Sequence, residues 1–161
     1  IFLDAGTTVM SLVRQLPNQH YTIVTSGANI AIELSQRSRS TVSCVGGQIS
    51  SSTLSLSGPQ AEAFLATVNI DTAVLAATGY SAGAGFTVGS YTENSLKRRV
   101  IQKADKVILL IDRSKLGRTL PFTFASLSDI DVVICDAPLP EDFIQAARAA
   151  GTEVLQVQPA K

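Results

Sequence analysis

The run Lys106-Val107-Ile108-Leu109-Leu110-Ile111 restricts the fold more than any other part of the sequence: five apolar residues in succession, broken off by Asp112-Arg113-Ser114-Lys115. A strand with one wet face alternates apolar and polar residues, whereas an uninterrupted apolar run is buried on both faces, as in parallel sheets covered by helices. Shorter runs of the same kind recur at Ile1-Phe2-Leu3, 21–25, 41–45, 71–77, 131–135 and 153–157. Helical spacing follows the first two, as Val9, Leu12, Val13 and Leu16, then Ile30 and Leu34. Further helices are predicted over about 60–68, opened by Gly58-Pro59, over 92–104, and over 140–150 with Gly151 as the stop. Strand and helix alternate throughout, which predicts an α/β fold: a mostly parallel sheet with helices on both faces, Rossmann-like, with right-handed crossovers. Residues 81–90, with Gly83, Gly85 and Gly89, read as an irregular loop, and Phe122–Phe124 as a short edge strand.

A chain of 161 residues fits one domain over 1–161, and 45% hydrophobic against 16% charged residues supplies a large core. Thirteen basic residues balance thirteen acidic ones, so the chain has no electrostatic footprint for non-specific contact with DNA or anionic membranes. Contact with DNA would need another segment. The start at Ile1, inside an expected strand, suggests that such a segment precedes it. Cys44 and Cys135 lie within apolar runs and are expected to be buried, unpaired thiols in a reducing, cytoplasmic compartment. His20 is the only histidine, so a Cys/His metal site lacks ligands, and no apolar run has the roughly 18 residues of a membrane span. Neither a phosphate-binding loop, a dinucleotide fingerprint nor a nucleophile elbow is spelled, so no cofactor is expected.

Ligands of open parallel sheets lie beyond the carboxyl ends of the strands. Here those ends read Asp4-Ala5-Gly6-Thr7-Thr8, Thr25-Ser26-Gly27, Gly46-Gly47, Thr78-Gly79 and Asp112-Arg113-Ser114-Lys115. Backbone amides and hydroxyls in such turns donate to phosphate, Lys115 adds a cation, and Asp4, Asp112 or Glu93 can accept from sugar hydroxyls. The set suits a small, hydroxylated anion. The same residue types also cap helices for local reasons. Glu93 and Lys97 are four apart and form a helix pair which, with Arg98 and Arg99, reads as a solvated face.

The separated motifs Ile1–Thr8, Val24–Ala31, Gly46-Gly47, Ser55–Ala61, Thr92-Glu93 with Lys97, and Asp112–Gly117 together resemble the C-terminal sensor domain of DeoR-type bacterial transcriptional regulators. That resemblance implies a fold similar to ribose-5-phosphate isomerase and related sugar-phosphate enzymes, and a non-catalytic domain that binds a phosphorylated sugar or polyol effector. It also implies a helix-turn-helix DNA-binding domain before this segment, repressor activity controlled by the effector, and a homo-oligomer. On the same ground Asp4, Ala5, Gly6, Thr7, Thr8, Thr25 and Ser26 would line the effector site, with Gly46, Gly47, Thr78, Gly79, Glu93, Lys97 and Lys115 around it. Two positions depart from the family pattern: Thr78 stands where an Asp is common, and Ser26 where an Asn is frequent. Proton transfer beside a carbonyl needs a positioned base, which Thr78 cannot be, so the expectation is binding; a sugar-phosphate isomerase using Glu93 and Lys115 is the alternative.

Overall fold

The computed structural model describes residues 1–37 and 39–157. The first half of the chain runs β1 (Phe2–Leu3), α1 (Thr7–Val13), β2 (Thr22–Thr25), α2 (Ala28–Arg37), β3 (Thr41–Cys44), β4 (Gln48–Ile49), β5 (Leu56–Ser57), α3 (Pro59–Ala66) and β6 (Ile70–Ala76). The second half continues with β7 (Gly79–Ser81), β8 (Gly85–Val88), α4 (Tyr91–Lys103), β9 (Ala104–Ile111), β10 (Phe122–Ala125), β11 (Val132–Cys135), α5 (Glu141–Ala150) and β12 (Glu153–Gln156).

Seven strands form one sheet in the order β12-β11-β9-β6-β1-β2-β3, and every pair in it is parallel. Successive strand residues point to opposite faces, so the apolar runs feed two cores at once. On one face Leu3, Ile23, Val74 and Leu110 pack with Val9 and Val13 of α1 and Ile30 and Leu34 of α2. On the other, Phe2, Leu75, Leu109 and Val133 pack with Leu65 of α3, Leu96 and Val100 of α4 and Phe143 of α5. The α/β architecture with helices on both faces is therefore as the apolar runs imply. From β1 the chain winds outward through β2 and β3, then returns to β6 on the other side of β1 and winds away through β9, β11 and β12. The gap between the ends of β1 and β6 is the topological switch point, where such sheets leave a crevice.

Three expectations are corrected. Residues 81–90 are not an irregular loop: β7 and β8 pair antiparallel, and β8 pairs with β10, in a separate three-stranded sheet with β10 at its edge. The glycines there serve close approach. A Cβ on Gly85, whose φ is +73°, would lie 2.5 Å from the Ala125 carbonyl oxygen, and one on Gly79 would lie 2.5 Å from that of Arg118. Cys44 is exposed, because β3 is an outer strand and the residue sits at its very end, whereas Cys135 on interior β11 is buried; both thiols are free. Helix α1 stops at Val13, and Leu16 closes a turn through its N–H to the Val13 carbonyl rather than extending the helix.

Candidate functional site

Asp4 is the first residue past β1, and it turns inward. Its backbone N–H donates to Val74 at 2.9 Å, continuing the ladder to β6. One carboxylate oxygen accepts the Ala76 N–H at 2.9 Å, and the other accepts the Ser26 hydroxyl at 3.3 Å. The side chain thus ties the ends of β6 and β2 together across β1. An ionised carboxylate at this depth requires a cation. Lys97 of α4 supplies it, pairing with Asp4, donating to the Ala76 carbonyl at 3.0 Å and lying 3.4 Å from Glu93. Its ammonium also faces the Phe124 ring, 5.4 Å from the centroid. Burial alone pushes Lys97 towards losing its proton, but the charges of Asp4 and Glu93 and their hydrogen bonds outweigh it and hold the pKa above the ordinary lysine value.

The Glu93–Lys97 helix pair forms as its spacing implies, but Lys97 is not on a solvated face: it is 2% exposed. The Lys97-Arg98-Arg99 run conceals this, since one cation points to the sheet while Arg99 reaches outward to Glu62 at 3.2 Å. Glu93 is the member that looks out. Together with Ser90, Thr92 and Thr78 it lines a cleft of about 440 Å³ whose opposite wall is the β4–β5 ribbon, bearing Ser50, Ser52, Thr53, Ser55 and Ser57. The ribbon is fastened to the strand ends through Leu56 N–H to the Ser26 carbonyl, 2.7 Å, and Ala28 N–H to that of Leu54, 3.0 Å. It is fastened to the start of α4 by the Ser57 hydroxyl donating to Thr92, 3.0 Å. The hydroxyls of this wall both give and accept hydrogen bonds and its one carboxylate accepts them, as a polyhydroxylated ligand requires.

Of the residues singled out from the sequence, Asp4, Ser26, Glu93 and Lys97 form one connected polar cluster, and Glu93 and Thr78 line the cleft. Thr25 is fully buried and its hydroxyl accepts the Gly27 N–H at 3.0 Å, so it builds the turn. Ala5 is buried behind Gly6, whose φ of +116° opens α1 with no side-chain cap; neither Thr7 nor Thr8 is spent on capping. Gly46 and Gly47, at φ +77° and +91°, lead β3 into the ribbon, and a Cβ on Gly47 would lie 2.3 Å from the Ser57 carbonyl oxygen. Gly79 begins β7. Lys115 stands in the turn after β9, 3.8 Å from Asp112. All these turns share the carboxyl edge of the sheet, but Gly6, Thr7, Thr8, Gly46 and Lys115 do not line this cleft. The serine and threonine residues of 50–57 form a wall that the candidate site read from the sequence does not include, although Ser55 and Ser57 lie in the Ser55–Ala61 motif. Their run of hydroxyls was the available signal. Among the described residues no group of acidic, histidine and cysteine side chains could hold a metal, and no helix is long and apolar enough to cross a membrane.

An all-parallel sheet with a cleft beside the carboxyl end of one of its inner strands is the architecture of α/β domains that bind small molecules. The chain belongs to the family of DeoR C-terminal sensor domains, whose family model matches residues 1–137. It is 36% identical over 156 residues to the HTH-type transcriptional regulator GlpR of Haloferax volcanii, covering 96% of this chain and 61% of that protein. It is 31% identical over 155 residues to the HTH-type transcriptional repressor GlcR of Bacillus subtilis, covering 96% and 60%. A putative aga operon transcriptional repressor of Escherichia coli O157:H7 is 29% identical over 159 residues, covering 98% and 59%. The chain thus spans about three fifths of the length of these curated relatives.

Proposed function

We propose that this chain is the effector-binding domain of a DNA-binding transcriptional repressor, and that it senses a phosphorylated sugar or polyol at the carboxyl edge of the sheet. The observation that carries the reading is Lys97, buried at the switch point between Asp4 and Glu93, so that Glu93 is held facing a cleft walled by hydroxyls. Glu93, Thr78 and the ribbon serines would take the sugar hydroxyls. The open turn at Gly6, with the hydroxyls of Thr7 and Thr8 and the Lys115 ammonium, would take the phosphate. Relatives named as regulators and repressors support the regulatory role. In this reading DNA contact belongs to a part of the longer protein outside this segment, the protein acts in the cytoplasm as a homo-oligomer, and the effector changes operator affinity.

Binding without turnover is the reading we prefer. Glu93 is the carboxylate on the cleft wall and is committed to Lys97, and Thr78 offers no base. A thermal-shift screen of pentose, hexose and polyol phosphates beside their unphosphorylated parents tests it. At a hundredfold excess over Kd, a ligand of the folded state adds about 2.7 kcal/mol. For a chain this long, that corresponds to a rise in Tm of roughly 5–10 °C. Lys115→Ala should remove the advantage of the phosphorylated forms. A response to unphosphorylated polyols alone would overturn the phosphate assignment, and deuterium exchange beside the substrate carbonyl would overturn the non-catalytic one.

A further inference from the structure

The cleft beside α4 carries a charge that the chain itself does not answer. Lys97 is shared by two carboxylates, Asp4 in direct contact and Glu93 with Oε1 at 3.4 Å, so the trio keeps one negative charge. Asp4 is closed off beneath the surface, its oxygens taken up by Ala76, Ser26 and Lys97. Glu93 is the member on the cleft wall, with its side chain 22% exposed and its Oε2 without a partner among the described residues. No lysine, arginine or histidine among the described residues lines the cleft with it. Arg99, the nearest cation along the helix after Lys97 and Arg98 to find a carboxylate, is held by Glu62 instead.

The N-terminus of α4 compensates only in part. It contributes roughly half an elementary charge, and its Glu93 N–H is already turned to the Ser90 hydroxyl. The same turn surrounds Glu93 with further oxygens. The Ser90 and Thr92 hydroxyls, 3.0 Å apart, both line the cleft, and Thr92 also accepts from Ser57 of the facing ribbon. A phosphate would be repelled from this corner, and a sugar hydroxyl would satisfy its hydrogen bonds but leave its charge. An ammonium donates three hydrogen bonds, accepts none and cancels the charge.

We propose that the effector is an aminated sugar or polyol phosphate whose protonated amine pairs with Glu93, beside the Ser90 and Thr92 hydroxyls. The proposal rests on the effector-binding reading above and narrows it to a ligand that carries both signs of charge. Its cationic end meets the one unanswered carboxylate of the cleft, which leaves the phosphate to the Lys115 side of the carboxyl edge. Glu93 is then the residue that selects an amine over a hydroxyl, because a hydrogen bond between two charged groups is worth roughly twice a neutral one.

Titration calorimetry of the wild-type chain tests it, with hexose and hexitol phosphates matched in sets that carry an amine, a hydroxyl or an acetamide at the same carbon. Glucosamine, glucose and N-acetylglucosamine phosphates are one such set, and each sugar is run again without its phosphate. An amine should bind about tenfold tighter than either neutral member of its set. Glu93→Gln keeps the side-chain shape, leaves Lys97 with Asp4, and should bring that ratio close to one; a merely structural loss would weaken all three members alike. If the hydroxyl forms bind and no amine binds better, the proposal is overturned while the effector-binding reading stands. If amines bind equally well without phosphate, the pairing with Glu93 is supported and the phosphate assignment falls. Silence from every set overturns both. An amine preference that survives in Glu93→Gln overturns the proposal, and should that variant fail to fold, the amine-to-hydroxyl ratio of the wild type decides.

Discussion

Asp4 and Lys97 stand 93 positions apart in the sequence and meet as an ion pair at the end of β1, each 2% exposed. The carboxylate also takes hydrogen bonds from Ala76 and Ser26, and the ammonium gives one to the Ala76 carbonyl. Every polar atom of the pair is engaged, which is the condition under which a buried ion pair is tolerated.

Removing one partner strands the other. Lys97→Met should destabilise the fold by about 3–5 kcal/mol, the usual cost of an uncompensated buried charge. Asp4→Asn in the same chain keeps an acceptor for the Ala76 N–H and should recover most of that loss. Urea unfolding of the two single variants and the double variant gives the coupling directly, and additive effects would show that the pair is not coupled.

Alkaline pH should release the same energy without mutation. The folded pKa of Lys97 lies above its ordinary value of 10.5, so its contribution is complete below that pH and falls as pH rises through the folded value. The stability gap between wild type and Lys97→Met should stay constant from neutrality to 10.5 and shrink beyond it. Denaturant midpoints across that range measure it.

Gly47 should resist substitution where Gly83 does not. At φ +91°, a Cβ on Gly47 meets the Ser57 carbonyl oxygen at 2.3 Å, so Gly47→Ala must push the ribbon off β3 as well as strain the backbone. A cost of about 1–3 kcal/mol is expected, with loss of the ligand-induced Tm shift. Gly83 has open space around it, and Gly83→Ala should stay within roughly 0.5 kcal/mol of wild type.

The two thiols should separate cleanly. Cys44 is exposed, whereas Cys135 is fully buried and burial, its largest influence, pushes its thiol above the ordinary 9.0. A maleimide should modify Cys44 in the native chain and Cys135 only after unfolding, as mass spectrometry of the labelled protein would read. Modification of Cys135 at native rates would show that β11 opens.

Apolar runs spelled out the sheet because burial on both faces leaves no polar positions to blur them. The turns after β1, β2 and β6 were equally legible, since Gly and hydroxyl residues break such runs abruptly. Lys97 was not, because its burial depends on Asp4 lying across the sheet and nothing within its own helix announces that partner. The β7–β8–β10 sheet was missed for a related reason: Gly79 and Gly85 look like loop formers in isolation and like close contacts only once Arg118 and Ala125 stand opposite. The ribbon serines do not stand out as a wall in the sequence because hydroxyl runs are common in solvated turns, and only the bonds to Ser26 and Thr92 make them one.

Strand β1, inside the large sheet between β6 and β2, is also its shortest, two residues against eight in β9. It meets β2 and β6 through two register pairs on each side, while β6 and β9 share six. Mechanical compliance is thereby concentrated along the line where Asp4 reaches Ser26 on one flank and Ala76 on the other. In the effector-binding reading, a molecule seated over that line would act as a clasp, stiffening the joint between the β2–β3 half and the broader half built on β6.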